Sequence, residues 1–332
     1  MSARPVVVMK FGGTSVADPE KIARAAERAV RARRAGASVA VVVSAPGEMT
    51  DELIALAERV QRSPAPRELD ALMATGEQVS IALFAMACGA RGVPAVSLTG
   101  PQAGFSCAGE HGSSRILRVE PRRVRRELAQ GRIVAVAGFQ GLNARGDVAT
   151  LGRGGSDLSA VALAGALRAQ RCEIFSDVKG VYTADPRLVP EARKLDRVSY
   201  EEMLALAAAG AQVMQARSIE AALRSGVRLQ VRSAFHDAAG TWIVPRAEAP
   251  SGSVSSLTLL KNGASARLSA VGGALRPGSA ESARLLQAFE RLGQRPRSVE
   301  AASLRVSWTI DARSAESVLR AFHKALGLGR RP

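Results

Sequence analysis

The chain has 332 residues, 47% of them hydrophobic and 4% aromatic, with 46 lysines and arginines against 30 aspartates and glutamates for a formal net charge of +16. That length supports a sizeable core and more than one domain, while the longest apolar stretch, residues 79–90, is too short to span a bilayer, so no membrane partner is expected. The run before Lys10 is too short for a signal-peptide core, and Cys88, Cys107 and Cys172 make no disulfide framework, so a cytoplasmic location is expected.

In chain order, residues 6–11 form a short apolar run that ends in Lys10-Phe11-Gly12-Gly13-Thr14-Ser15, followed by an amphipathic helix over 19–34. Strand, glycine loop and helix is an arrangement that cradles phosphate, although the lysine precedes the glycines and the Walker spacing is absent. By itself Lys10 reads as a surface charge more readily than as a phosphate ligand. A second buried-type strand over 38–44 leads through Ser44, Thr50 and Asp51 into a helix over 51–61, where Thr50 alone reads as a helix cap. A polar link at 63–66 precedes a helical region with Thr75-Gly76-Glu77-Gln78, in which Glu77 either meets a ligand's ammonium or completes a helix start.

Further strands are predicted at 95–98 and 133–139, with a basic helix over 121–130 between them. Arg122, Arg123, Arg125 and Arg126 there, like Arg31, Arg33 and Arg34 earlier, read as solvated helix faces; with so few aromatic residues for base stacking, nucleic acid is not expected as a partner. Apolar strands alternating with helices predict an α/β fold whose largely parallel central sheet lies between helices.

The stretch from Leu151 to Ser159, LGRGGSDLS, combines Arg153, whose planar fork suits a carboxylate or phosphate, with Gly154 and Gly155, which let the backbone pass close to a ligand. A helix predicted over 160–169 would turn its free N–H groups toward the same place. Beyond it come a strand over 172–176 and a glycine-interrupted segment that offers Tyr182 for stacking and Arg187 for phosphate. Helices over 200–209 and 213–224 and a strand over 228–232 follow. A composition change at Glu248 to Ser253 marks the expected domain boundary, between domains at 1–246 and 254–332. The second reads as strand 255–260, strand 266–271, helix 279–292, strand 303–310 and helix 315–326, a small α+β unit.

Together these segments resemble the aspartate kinases of the amino-acid kinase family, over about residues 6–243. The motifs KFGGTSV, TGEQVS, GFQG, TLGRGGSD, FSDVKGVYTADPR and ARSIEAA stand in family order. The resemblance implies the amino-acid kinase fold with an ACT-like second domain. It also implies ATP-dependent phosphorylation of the L-aspartate side-chain carboxylate to 4-phospho-L-aspartate, the first step toward lysine, threonine and methionine, with Mg²⁺ accompanying ATP. By the same pattern Lys10, Gly12, Gly13, Ser176, Asp177, Tyr182, Arg187 and Gln212 would hold the nucleotide, and Ser44, Thr50, Glu77, Phe139, Arg153, Ser156 and Asp157 the aspartate. Lys10 would stabilise the transferred group, and Asp157 would orient Lys10. A homo-oligomer, a dimer first, is expected.

Three departures stand out. The segment Gly210-Ala211-Gln212-Val213 carries glutamine where the family has a phosphate-contacting lysine, a loss that would cost about 2.7–4 kcal/mol by analogy with an oxyanion donor; Lys179 is either a replacement cation or a surface charge. Pro46 and Glu48 alter the loop between Ser44 and Thr50. The second domain resembles one ACT domain where the family has two, with its last strand absent or replaced by residues 255–260, so feedback control by the usual route is not implied. The alternatives are a kinase for another small amino acid and a catalytically impaired regulatory homologue.

Overall fold

The computed structural model describes residues 4–250 and 254–329; residues 251–253 of the expected boundary, and residues 1–3 and 330–332 of the two expected domains, lie outside the described residues. By contacts the chain divides into two bodies, Met1–Val178 with Ala221–Ala239, and Lys179–Glu220 with Gly240–Pro332.

The first body begins with β1 (Val6–Phe11), α1 (Pro19–Arg34) and β2 (Ser38–Val43), all at or within one residue of their predicted bounds. Asp18 caps α1 by accepting the Lys21 N–H at 2.8 Å, and Pro19 supplies the fixed φ of the first helical position. Next come α2 (Met49–Val60), α3 (Pro66–Gly89), β3 (Ala95–Leu98), β4 (Phe105–Ala108), β5 (Arg115–Val119), α4 (Arg122–Ala129), β6 (Ile133–Ala137), β7 (Gln140–Leu142), β8 (Val148–Thr150), α5 (Gly155–Leu167) and β9 (Arg171–Ser176). The remaining elements are β10 (Arg197–Ser199), α6 (Tyr200–Ala208), α7 (Ala216–Ser225), β11 (Leu229–Ser233), β12 (Thr241–Val244), β13 (Ser256–Asn262), β14 (Ser265–Val271), α8 (Ala280–Glu290), β15 (Ser298–Ala302), β16 (Arg305–Asp311) and α9 (Ala315–Ala325).

In the first body β11, β9, β1, β2, β6 and β3 lie side by side in one parallel sheet. Its Val- and Ala-rich strands are buried on both faces, as a parallel sheet between helices requires. One face packs Val7, Met9, Val39, Val41 and Ala135 against α1 and α3, through Ala25, Ala29, Ile81 and Phe84. On the other, Ala160, Val161 and Ala164 of α5 are buried beside β1, β2 and β9. A second sheet, β5-β4-β7-β8, has mixed pairing.

By length and composition alone α3 could cross a membrane, a helix twice as long as the apolar stretch read at 79–90. Its inner face instead packs in the core: Met73, Ile81, Phe84 and Cys88 are buried there, together with the acidic Asp70 and Glu77.

In the second body β10 and β12 pair in parallel, and α6 starts with a capping box between Ser199 and Glu202. The strands β13-β14-β16-β15 form an antiparallel sheet. Trp308, Phe289 and Phe322 anchor its core, with Phe289 stacked on Trp308 at 4.6 Å and Phe322 edge-on at 5.3 Å. The sheet edge beside β14 is taken by β13, the strand expected at 255–260 as the replacement.

Candidate active site

Parallel strands bring their carboxyl ends to one edge of a sheet, which is where open α/β folds hold ligands. Here the register aligns Phe11 with Val43 and with Phe175, and Val43 with Ala137. The four segments that follow therefore leave the sheet in a row: Gly12-Gly13, Ser44-Ala45, Gly138-Phe139 and Ser176-Asp177. Phe11 stacks on Phe175 at 4.7 Å and fixes two of these ends together.

The first segment turns directly into a short 3₁₀ helix over Gly13–Ser15. A Cβ on Gly13 would stand 2.8 Å from the Ala45 carbonyl oxygen and 2.9 Å from that of Gly47, so the close approach of the two loops excludes a side chain. Lys10, one residue before the end of β1, sends its Nζ to within 2.6 Å of Asp157 Oδ1, with both side chains about nine-tenths buried, at 12% and 13% exposed.

Asp157 is in the first turn of α5. That helix begins at Gly155, five residues before the predicted start, because Gly154 takes a left-handed φ of 74° and turns the chain into it. Ser156 and Asp157 are thus part of the helix rather than its approach, and its free N–H groups and positive end lie at the loop itself. Ser156 packs over Gly138, where an added Cβ would meet its Oγ at 2.8 Å. Phe139 holds φ at 66°, rare outside glycine, and its N–H donates to Ser159 Oγ at 3.1 Å, whose hydroxyl donates to Gly155 O at 2.8 Å. Sequence reasoning missed this part for Ser159; its only signal is a hydroxyl one helical turn beyond Gly155.

Thr50 differs from its isolated reading, and Glu77 from one of its two. Thr50 is the second residue of α2, and the N-cap is Glu48, which makes no side-chain cap. Glu77 is deep inside α3, far from its start, so it completes no capping box. It is buried, and its Oε1 accepts the Ala45 N–H at 3.0 Å, while Oε2 is buried with no partner among the described residues. Burial lifts its carboxyl to about 7, partly opposed by the Ala45 hydrogen bond. Arg153 is exposed on the loop before α5. Ser176 donates from Oγ to Asp177 Oδ1 at 3.0 Å and accepts the Val178 N–H at 3.3 Å.

The remaining residues of the expected site belong to the second body. Tyr182 is half-buried and bridges to Lys194; Arg187 is exposed and forks onto Asp185, with Nη2 2.7 Å from Oδ2. Gln212 and Lys179 are both exposed.

This geometry, a lysine poised over a glycine turn beside the N-terminus of a helix, suits an anion that carries several charges. Residues 5–233 match the amino acid kinase family. An aspartokinase of Mycolicibacterium smegmatis is 54% identical over 237 residues, 71% of this chain and 56% of that protein; one from Pseudomonas aeruginosa is 50% identical over 238, 72% and 58%. The chain therefore spans less than three-fifths of the length of these relatives. Among solved structures, the aspartate kinase from Synechocystis superposes with a TM-score of 0.66 at 31% identity, over 98% of this chain and 70% of that one. E. coli aspartokinase III in complex with lysine and aspartate has a TM-score of 0.80 at 22% identity, over 97% and 99%, a likeness of fold alone. The match over most of its length makes this chain a member of the amino acid kinase family.

Proposed function

We propose that the protein transfers the γ-phosphoryl group of ATP to the side-chain carboxylate of L-aspartate, giving 4-phospho-L-aspartate and ADP. The observation that carries this reading is the Lys10–Asp157 pair at 2.6 Å, held over the Gly12-Gly13 turn. Phosphoryl transfer asks little covalent chemistry of a protein; it needs two anions aligned and the charge on the moving group neutralised. Lys10 supplies that charge and Asp157 holds the ammonium in place, so the cation is fixed before substrate arrives.

Gly12 and Gly13 pass backbone N–H groups to phosphate, and Ser176, Asp177, Tyr182, Arg187 and Gln212 complete the proposed nucleotide contacts. Ser44, Thr50, Phe139 and Ser156 shape the acceptor site; Arg153 takes the α-carboxylate, and the partnerless Oε2 of Glu77 takes the α-ammonium. Mg²⁺ neutralises nucleotide phosphate charge. Among the described residues no cluster of His, Cys, Asp and Glu is placed to hold a metal by itself, so the ion is proposed to be carried in by the nucleotide. Residues 1–246 are proposed as the kinase domain, 254–332 as one ACT-like domain, and the working form as a homo-oligomer, a dimer being the first state to test by sedimentation.

Acyl phosphate trapped as the hydroxamate, with ATP and L-aspartate, L-glutamate or N-acetylglutamate, tests the reading. Turnover confined to aspartate is expected. Folded protein that binds ATP and turns over none of the three would overturn it.

A further inference from the structure

Two acidic side chains point inward from α3, seven residues apart and so on one face: Glu77 and Asp70. The proposed reaction gives Asp70 no part, yet it is fully buried, and a buried carboxylate persists only among donors. It has four. The Gly112 N–H lies 3.0 and 3.1 Å from its two oxygens, His111 Nδ1 2.7 Å from Oδ2, the Thr150 N–H 3.0 Å from Oδ2, and the Thr150 hydroxyl donates to Oδ1.

These donors come from two segments that meet under the Arg153 loop. Thr150 is the last residue of β8; its carbonyl accepts the Ser114 N–H at 2.9 Å, and the next N–H, of Leu151, donates to Phe139 O at 2.9 Å. Gly152, at φ 71°, passes so near the lower segment that a Cβ there would stand 3.0 Å from Gly112 O. Asp70 thus holds the chain just before Arg153, while Glu77, one heptad along the same helix, holds Ala45 in the loop after β2. Seven residues of helix rise about 10 Å, a stiff spacer.

We propose that Asp70 is a positioning residue: with Glu77 it makes α3 a ruler that sets the distance between the loop that carries Ser44 and leads into α2 and the loop carrying Arg153, and thereby the length of acceptor that fits. The acceptor part rests on the aspartate reading above; the positioning part does not.

Thr150→Val removes one donor while keeping the shape of the side chain, and Asp70→Asn turns an acceptor into a donor that faces N–H groups. Hydrogen exchange without ligand should show the Leu151 and Gly155 amides exchanging about tenfold faster in both, the loss of roughly one hydrogen bond, with β1 and β2 amides unchanged. KM for L-aspartate should rise about tenfold at constant KM for ATP, the preference for L-aspartate over L-glutamate should narrow by a similar factor, and Thr150→Ser should restore both. If Asp70→Asn does not fold, Thr150→Val decides. Unchanged loop exchange overturns the proposal, and so does an equal rise in both KM values. A wild type inactive on aspartate removes the kinase reading, and loop exchange then decides the positioning role alone.

Discussion

Glu77 couples stability to pH through its burial. In the folded chain its carboxyl titrates at about 7; unfolded, it returns to the ordinary value of 4.5. Between those values the folded state keeps a proton that the unfolded state has released, so the contribution is complete below pH 4.5 and is lost as pH rises through 7. The loss is about 3 kcal/mol at roughly 1.4 kcal/mol per pKa unit. Urea denaturation at pH 4 and pH 8 should show that loss in the wild type and its absence in Glu77→Gln. An ammonium brought against Glu77 would pull the carboxyl down again, so L-aspartate binding near pH 6.5 should release a proton, measurable by calorimetry in buffers of different ionisation enthalpy. Gln212 is the opposite case, an exposed neutral side chain where the family resemblance implies a phosphate-contacting cation. Gln212→Lys should raise kcat by about 100- to 1,000-fold if the group meets developing charge, and steady-state kinetics would read it directly.

At the scale of elements, the turn after β1 is shaped by close backbone approach. Gly13→Ala would drive a methyl group into two carbonyl oxygens, so the turn under Lys10 must shift. A stability loss of about 1–3 kcal/mol and a larger proportional fall in turnover are expected, checked by melting and by the hydroxamate assay. The elements legible in the sequence were those with a long apolar period: β1, α1, β2, β6 and β9 matched their predicted bounds closely. The second sheet was missed. β5, β7 and β8 are three to five residues long and mix polar with apolar positions, which leaves too little period to register. The early start of α5 escaped for a different reason: Gly154 and Gly155 read as loop, although a left-handed glycine is also what admits a chain to a helix. Asp70 was invisible because a single acidic residue near a helix start looks solvated until the chain 40 and 80 residues onward folds against it.

At the scale of the molecule, each body has its own core. In the second, Trp308 is enclosed by Phe289 and Phe322, and Trp308→Ala should cost about 3–5 kcal/mol, seen as a lower denaturation midpoint for that body. The first body is ordered very differently along the chain. Its earliest strand, β1, has β2 on one side and β9 on the other, so Lys10 pairs across to Val42 and to Ile174. A nascent chain emerging from the ribosome exposes one apolar edge of β1 until more than 150 further residues have been made, and β11 joins later still. The strand that presents Lys10 is made long before the partner that covers its second edge, a long-range pairing of the kind that slows folding and leaves a strand edge to shield until β9 arrives.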